Sequence, residues 1–419
     1  MLNKDNVREL AYLVRVEAIT PMNADRLECA HIGGWHCVVG KGEFKVGDPA
    51  VYFEIDSQLP DMEPFSSMEF LKSKNFKIKS QKIRGEISQG LLMPLSAWVD
   101  ENGGKPTWLA SLLIGFDAEG LEAVLASENR FLTKQLEITY ADPGDNSRKA
   151  SAPDKYKRMS QRHPNIFKKK WAHWLMKREW GRKLMFFFFG KKKDKKNGWP
   201  YWVVKTDEER IQNCAWILND TAREWIPTEK IDGSSTTFTL HRKGFKKEFF
   251  VCSRNVVFDK PDKKCFYDTN IYTEMAEKYN MEAKMKTMWE VEEYCEGHQL
   301  EFLTIQAETY GAGVQKRDYG MKDRDMAIFN IIFGYKDGRT VRLNPLEGAG
   351  RAAAYGLPYV PVLGIAKTLP NDCEAVLALA ESEPSQIDGG MREGIVFRSI
   401  DGQHSFKAVS NAFLLKYHG

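Results

Sequence analysis

One run constrains the chain more than any other: Ile226 to Arg254, "IPTEKIDGSSTTFTLHRKGFKKEFFVCSR". Its two β-branched and aromatic stretches, "TTFTLHR" and "EFFVCSR", alternate in the strand manner around "KGFKK", which predicts an antiparallel hairpin. Lys230 stands immediately before that hairpin, at the mouth of a sheet, with Asp232 and Gly233 forming a tight turn. A K-x-D-G tetrad by itself is most often a surface turn, so the hairpin supplies the meaning. A lysine held there is a nucleophile if burial or neighbouring cations, metal included, destabilise its ammonium, because only the neutral amine attacks.

Four stretches downstream match what such a nucleophile needs. "VCSRNVVF" puts Arg254 at the end of a strand paired with the one that follows Lys230, where a guanidinium suits phosphate or ribose. "IQAETYGAGVQKRDYG" puts Glu308 at a strand end before two glycines, where backbone approaches a ligand closely and a carboxylate accepts from ribose hydroxyls. "REGIVFRS" places Glu393 where a carboxylate can bind a divalent metal. "SFKAVSNAFLLKY" supplies Lys407 as a point charge for phosphate oxygens. Any one strand-end Glu or Lys is more often simply solvated. Their order and spacing together are what chance explains poorly.

The rest of the chain sets these motifs in context. At 419 residues and 42% apolar content, two or three globular domains fit. The first twenty residues carry scattered charge and no secretory h-region, no apolar run is long enough for a membrane span, and an intracellular, cytoplasmic location is expected. Seven cysteines without a C-x-x-C pair disfavour a disulfide framework and a structural zinc site, and read as buried thiols. From Tyr12 to about Leu95, short β-rich runs broken by glycine turns suggest a small barrel. A connector of mixed helical character follows, and after "NGWPYWVVKTDEERIQN" a regular mixed α/β pattern continues to the last residue, with no internal repeat.

A formal net charge of +4 hides a strong asymmetry. Residues 155–197 hold sixteen Lys or Arg against Glu179 and Asp194, a local excess of +14, so the remainder sums to −10. Trp171, Trp174 and Trp180 sit among these cations. Cations neutralise phosphates and aromatic faces stack on unpaired bases, so nucleic-acid contact is one reading. A solvated amphipathic linker helix and a membrane-surface or partner helix are the others. The segment alone does not choose among them.

Taken in order, "EKIDG", "CSR", "AETYGAGVQ", "MAIFNIIF", "EGIVFR" and "FKAVS" resemble motifs I, Ia, III, IIIa, IV and V of the covalent nucleotidyltransferases, the superfamily of ATP-dependent DNA and RNA ligases and mRNA capping enzymes. "TPMNADRLECAHIGGWHCVVGKGEFKVGD" with "IRGEISQGLLM" looks like the OB-fold modules that bind tRNA in some synthetases. The resemblance implies an α+β chain. An OB-fold domain would occupy 1–100, the connector 101–197, and a nucleotidyltransferase domain of antiparallel sheets and helices 198–419. It further implies that Lys230 takes AMP as a lysyl-adenylate, and that Glu308 and Arg254 hold the ribose and neighbouring phosphate. Phe329 would stack on adenine, Glu229 would join the cofactor-binding set, Glu393 would serve Mg²⁺ or Mn²⁺, and Lys407 would contact the α-phosphate. The chain departs from the pattern at Ser405, where many relatives carry a first motif V lysine, so the clamp rests on Lys407 alone or recruits Lys416. It departs again at Ala307, where motif III usually begins with Gly.

DNA ligases and capping enzymes normally continue past motif V into a C-terminal OB domain, whereas this chain ends twelve residues after Lys407 and carries its barrel first. That order resembles the RNA ligase family typified by the Deinococcus and Naegleria enzymes. The implied activity is ATP-dependent joining of RNA 3′-OH and 5′-phosphate ends by a monomer without membrane attachment. A GTP-using capping enzyme, a DNA ligase and a catalytically silent RNA-binding protein are the alternatives.

Overall fold

The computed structural model describes residues 1–98, 118–141, 172, 175, 178, 185, 199–258, 270–365 and 367–418. The chain divides into two compact units, one formed by Met1–Thr139 with Trp199–Gly419, the other by Tyr140–Gly198. The basic, tryptophan-rich segment belongs to the second unit. Apart from residues such as Ala172 and Met185, which are buried, it lies outside the described residues, and so do Lys191, Lys192 and Lys193.

In the first unit, strands β1 (Ala11–Arg15), β2 (Ala18–Pro21), β3 (Leu27–Ile32), β4 (Trp35–Gly40), β5 (Pro49–Phe53), β6 (Ser57–Gln58), β7 (Gln81–Ile83), β8 (Glu86–Ser88) and β9 (Leu91–Pro94) precede the motif-bearing region, and β10 (Thr139–Tyr140) falls at the boundary with the second unit. β1-β5-β9 and β2-β3-β4 form two antiparallel sheets. The run "AVYF" is apolar throughout because β5 is buried on both faces. Ala50 and Tyr52 face one core with Trp35 and Ile32, while Val51 and Phe53 face a second with Phe65 and Trp98. Helix α1 (Ala118–Leu125) and residues up to Ile138, inside the stretch read as a connector, pack on that second core through Val124, Leu132 and Leu136.

The motif-bearing region holds β11 (Trp225–Lys230), β12 (Ser234–Lys243), β13 (Lys246–Cys252), β14 (Val257–Phe258), β15 (Leu300–Gly311), β16 (Arg324–Tyr335), β17 (Thr340–Arg342), β18 (Gly394–Ser399) and β19 (Ser405–Val409). Two antiparallel sheets result, a six-stranded β14-β13-β12-β15-β16-β17 and a three-stranded β11-β18-β19. The expected hairpin is β12–β13, closed by Gly244 at φ +61°. Phe238 and Leu240 point from β12 into a core with α2 (Ile271–Lys278), α3 (Met281–Glu296) and α4 (Pro345–Ala354), whereas Thr237 and Thr239 face the other way. In α3, Met281, Met285, Met288 and Trp289 recur at helical spacing and are all fully buried. The smaller sheet packs Ile395, Phe397, Phe406 and Ala408 against α5 (Cys373–Glu381).

The α+β architecture of antiparallel sheets and helices is therefore present as expected. Cys29, Cys37, Cys214 and Cys252 are buried free thiols, but Cys295 is exposed because it lies on the solvent side of α3. No helix among the described residues is long and apolar enough to cross a membrane.

Candidate active site

Lys230 is the last residue of β11, and four residues later, at Ser234, the chain has entered β12 in the other sheet. The lysine therefore stands where the two sheets diverge. Gly233 makes this crossover fit: a Cβ there would lie 2.3 Å from the Thr309 carbonyl oxygen and 2.9 Å from Glu308 Cγ. The Asp232 N–H donates to the Tyr319 hydroxyl at 2.7 Å, and Gln315 Nε2 donates to the Gly233 carbonyl at 2.8 Å, so the turn is held from the β15–β16 side. Gly233→Ala is expected to force β12 and β15 apart, costing about 1–3 kcal/mol of stability. A lowered thermal midpoint together with lost nucleotide labelling would register it, and an unchanged midpoint would contradict the close approach.

Pairing register brings the other motifs to the lysine. Lys230 is opposite Gly394 in β18, so Glu393 immediately precedes the paired residue, and Lys230 Nζ donates to Glu393 Oε1 at 2.5 Å. Lys407 lies on the next strand, opposite Val396. Glu308 arrives from the larger sheet, opposite Ser235. Burial pulls the Lys230 ammonium down, but Glu393, Glu308 and Asp232 outweigh it and hold the amine above the ordinary lysine range. Burial pushes Glu308 up to about 8, with Glu393 and Asp232 adding to the rise and Lys230 and Arg254 opposing it. Burial, then Arg210 and Lys230, bring Lys407 down to about 8. A cluster of carboxyls and amines thus shares a poorly solvated cleft in which each charge sets the next.

Glu393 Oε2 is buried and has no hydrogen-bond partner among the described residues. A spare carboxylate oxygen beside Glu308 and Asp232 is the oxygen donor set that a hard divalent cation takes. Arg254 follows β13 and donates to Asp207 at 2.9 Å, both side chains about half exposed. Phe329 is the extra residue of a β-bulge in β16, since Gln306 pairs with Asn330 while Ala307 pairs with Ile328. The bulge turns its half-buried ring toward Ile231, Tyr310, Tyr319 and Val360, an apolar shelf beside the lysine.

Glu229 is not brought to this cluster. Alternation along β11 turns it away from Lys230, and its buried carboxylate accepts from Ser385 Oγ at 2.5 Å and Gln386 N at 2.8 Å. It fixes the loop that adds Ile387 to the shelf of Phe329. Ser405 donates to Glu208, which also meets Arg398 at 3.4 Å, and Lys416 is exposed over the Tyr417 ring at 5.1 Å. Three residues not singled out in the sequence belong here: Asp207, Tyr319 and Arg210. Arg210 bridges in parallel to Lys407, and its guanidinium lies 5.8 Å from the Trp35 ring of the barrel. The run "KTDEER" is the visible signal of Asp207 and Arg210, but only the fold reveals that it lies alongside β19.

Compared with known protein families, residues 10–95 match an OB-fold domain and residues 223–417 match RNA ligase. No curated protein matches in sequence. Among solved structures, the chain is similar to the Naegleria gruberi RNA ligase with PPi, at 26% identity and TM-score 0.60, covering 98% of this chain and 99% of that one. A variant of that enzyme with ATP and Mn gives 26% identity and TM-score 0.62, and another with AMP and Mn gives 26% and 0.60, each over 98% of this chain and 99% of that chain. By fold and site the molecule is a polynucleotide ligase built from an OB-fold domain followed by a catalytic domain. Residues 223–417, which hold that catalytic region, match the RNA ligase model, and the chain as a whole is similar in fold to the Naegleria gruberi RNA ligase.

Proposed function

We propose that the protein is an ATP-dependent ligase that joins RNA 3′-OH and 5′-phosphate ends through lysyl-AMP and 5′-adenylylated RNA, in RNA repair. The observation that carries this reading is the 2.5 Å contact of Lys230 with Glu393 in a cleft that Glu308 and Lys407 also enter. The structures of the Naegleria gruberi enzyme with ATP, AMP and Mn support nucleotide and divalent metal for this chain.

In the first step Lys230 Nζ, having lost its proton, forms a bond to the α-phosphorus of ATP as the bond to pyrophosphate breaks. Transfer of AMP to an RNA 5′-phosphate returns the amine, and attack by a 3′-hydroxyl then expels AMP and closes the phosphodiester. The residues act by alignment and by neutralising charge. Lys407 contacts the α-phosphate, Glu308 and Arg254 take the ribose and neighbouring phosphate, Phe329 stacks on adenine, and Glu229 positions the loop behind that ring. Glu393 would hold Mg²⁺ or Mn²⁺, a charge that offsets phosphate and releases Lys230 from its ion pair. The domains proposed for this work are 1–100, 101–197 and 198–419, in a monomer. The free thiols among the described cysteines favour a reducing, cytoplasmic setting.

Parallel incubation with α-labelled ATP and GTP tests the reading. Label on the protein from ATP is expected, and label from GTP alone would transfer the assignment to capping. A nicked duplex with RNA or DNA on the 3′-OH side then separates RNA sealing, the expected result, from DNA sealing.

A further inference from the structure

Well away from the lysine, the β3–β4 hairpin gathers ligating groups that the ligation chemistry does not use. Its turn is Gly33-Gly34, with φ +52° and +80°, and the pairing that follows sets His31 directly opposite His36. Their ring centroids are 4.2 Å apart. Cys29, two residues before His31 and hence on the same face of β3, is a buried free thiol. The ligand atoms of Cys29, His31 and His36 all lie within 4.8 Å of one another.

A fourth group arrives from the ligase domain. Glu374 is in the first turn of α5, and its Oε1 is 3.2 Å from His36 Nε2 and 3.6 Å from His31 Nδ1. The helix comes this close because residue 34 lacks a side chain: a Cβ there would meet Cys373 Sγ at 2.6 Å. His31 Nε2 is 3.0 Å from Thr20 Oγ1, which leaves Nδ1 to face Glu374. An outer hydrogen bond of that kind orients a metal-binding imidazole.

We propose that Cys29, His31, His36 and Glu374 form a four-ligand zinc site that pins the N-terminal barrel to the ligase domain. The Glu374–imidazole separations match the edges, about 3.3 Å, of a tetrahedron with bonds of about 2.0–2.1 Å. One thiolate and one carboxylate balance the charge of Zn²⁺, so the half-buried site closes neutral. Sulfur and nitrogen donors favour zinc over the hard Mg²⁺ or Mn²⁺ suited to the oxygen-lined cleft at Glu393. With four protein ligands the ion has no open position, which is the structural rather than the catalytic form. The competing account is a metal-free ion pair. Cys29 and Glu374 push His31 up to about 9, and the two imidazoles bring Glu374 down to about 2, so a charged His–Glu contact is the arrangement that zinc would have to displace.

The test uses the full chain, stripped with chelator and titrated with Co²⁺ in excess Mg²⁺ so that the oxygen-lined cleft is filled. Expected are one equivalent of cobalt, tetrahedral d–d bands in the visible, a thiolate-to-cobalt charge-transfer band in the near ultraviolet, and displacement of all three signals by Zn²⁺. Cys29→Ser should abolish the charge-transfer band. Should that buried substitution unfold the chain, His36→Gln, monitored by circular dichroism, should weaken binding in its place. Glu374→Gln should keep the band and lose at least about 10-fold in affinity. Absence of the band in the unaltered protein overturns the site, as does a band unchanged in Cys29→Ser. Unaltered affinity in Glu374→Gln overturns the link between domains.

Discussion

Lys230→Ala is expected to carry no AMP after exposure to ATP and Mg²⁺ or Mn²⁺, a loss on the order of 10⁶-fold, comparable to removing the nucleophile from other covalent enzymes. No neighbour can substitute. Lys407 sits two strands away with β18 between them, and the remaining groups at Lys230 are carboxyls, which carry no amine to form the phosphoramidate. The substitution removes one half-buried side chain from a strand end, so near-ultraviolet circular dichroism should show tertiary packing retained. Stability should fall modestly, because Glu393 loses its partner at 2.5 Å. Intact-mass detection of an added AMP in the variant would end the proposed mechanism.

Lys407→Ala should slow adenylylation about 10²–10³-fold, the usual effect of losing one preorganised donor to a charge-bearing transition state. Its signature is the dependence on pH. The Lys407 ammonium, brought down to about 8, is charged below that pH and neutral above it. Phosphate attraction is therefore present at neutral pH and is lost as pH rises through about 8. Glu308 acts in the same direction, since its carboxyl, pushed up to about 8, becomes an anion over the same interval. ATP affinity measured on the Lys230→Ala protein should weaken as pH rises, at a higher pH than in the intact site because loss of Lys230 moves both groups upward, and adding Lys407→Met should flatten the dependence to the share due to Glu308. An identical pH profile in both proteins would remove Lys407 from the phosphate site.

What could be read ahead of the structure follows from the range over which each signal acts. The β12–β13 hairpin was legible because period-two alternation and a glycine turn are local. Lys230, Glu308, Glu393 and Lys407 were legible as a set because each lies on or directly beside a strand with a distinctive neighbour, and the register then brings them together. Glu229 marks the limit of that local signal. Adjacent to the lysine in sequence, it is turned to the opposite face by one step of the pleat and spent on Ser385 and Gln386. The bulge that frees Phe329 depends on two strands pairing with one residue to spare, which no single run of letters reveals. Likewise "CAHIGGWH" looked like ordinary barrel sequence, and its cysteine and histidines acquire a possible partner only when Glu374, more than three hundred positions later, is folded against them.

The Glu208–Arg210 run has a consequence for how separable the two halves are. On one side Lys407 N–H donates to the Glu209 carbonyl at 2.7 Å, and on the other the Arg210 guanidinium rests over an indole of the barrel. A catalytic fragment cut out near residue 200 would retain each signature of the transferase yet forfeit the surface that braces this run. Its independence in the primary structure would then overstate its autonomy as a working machine.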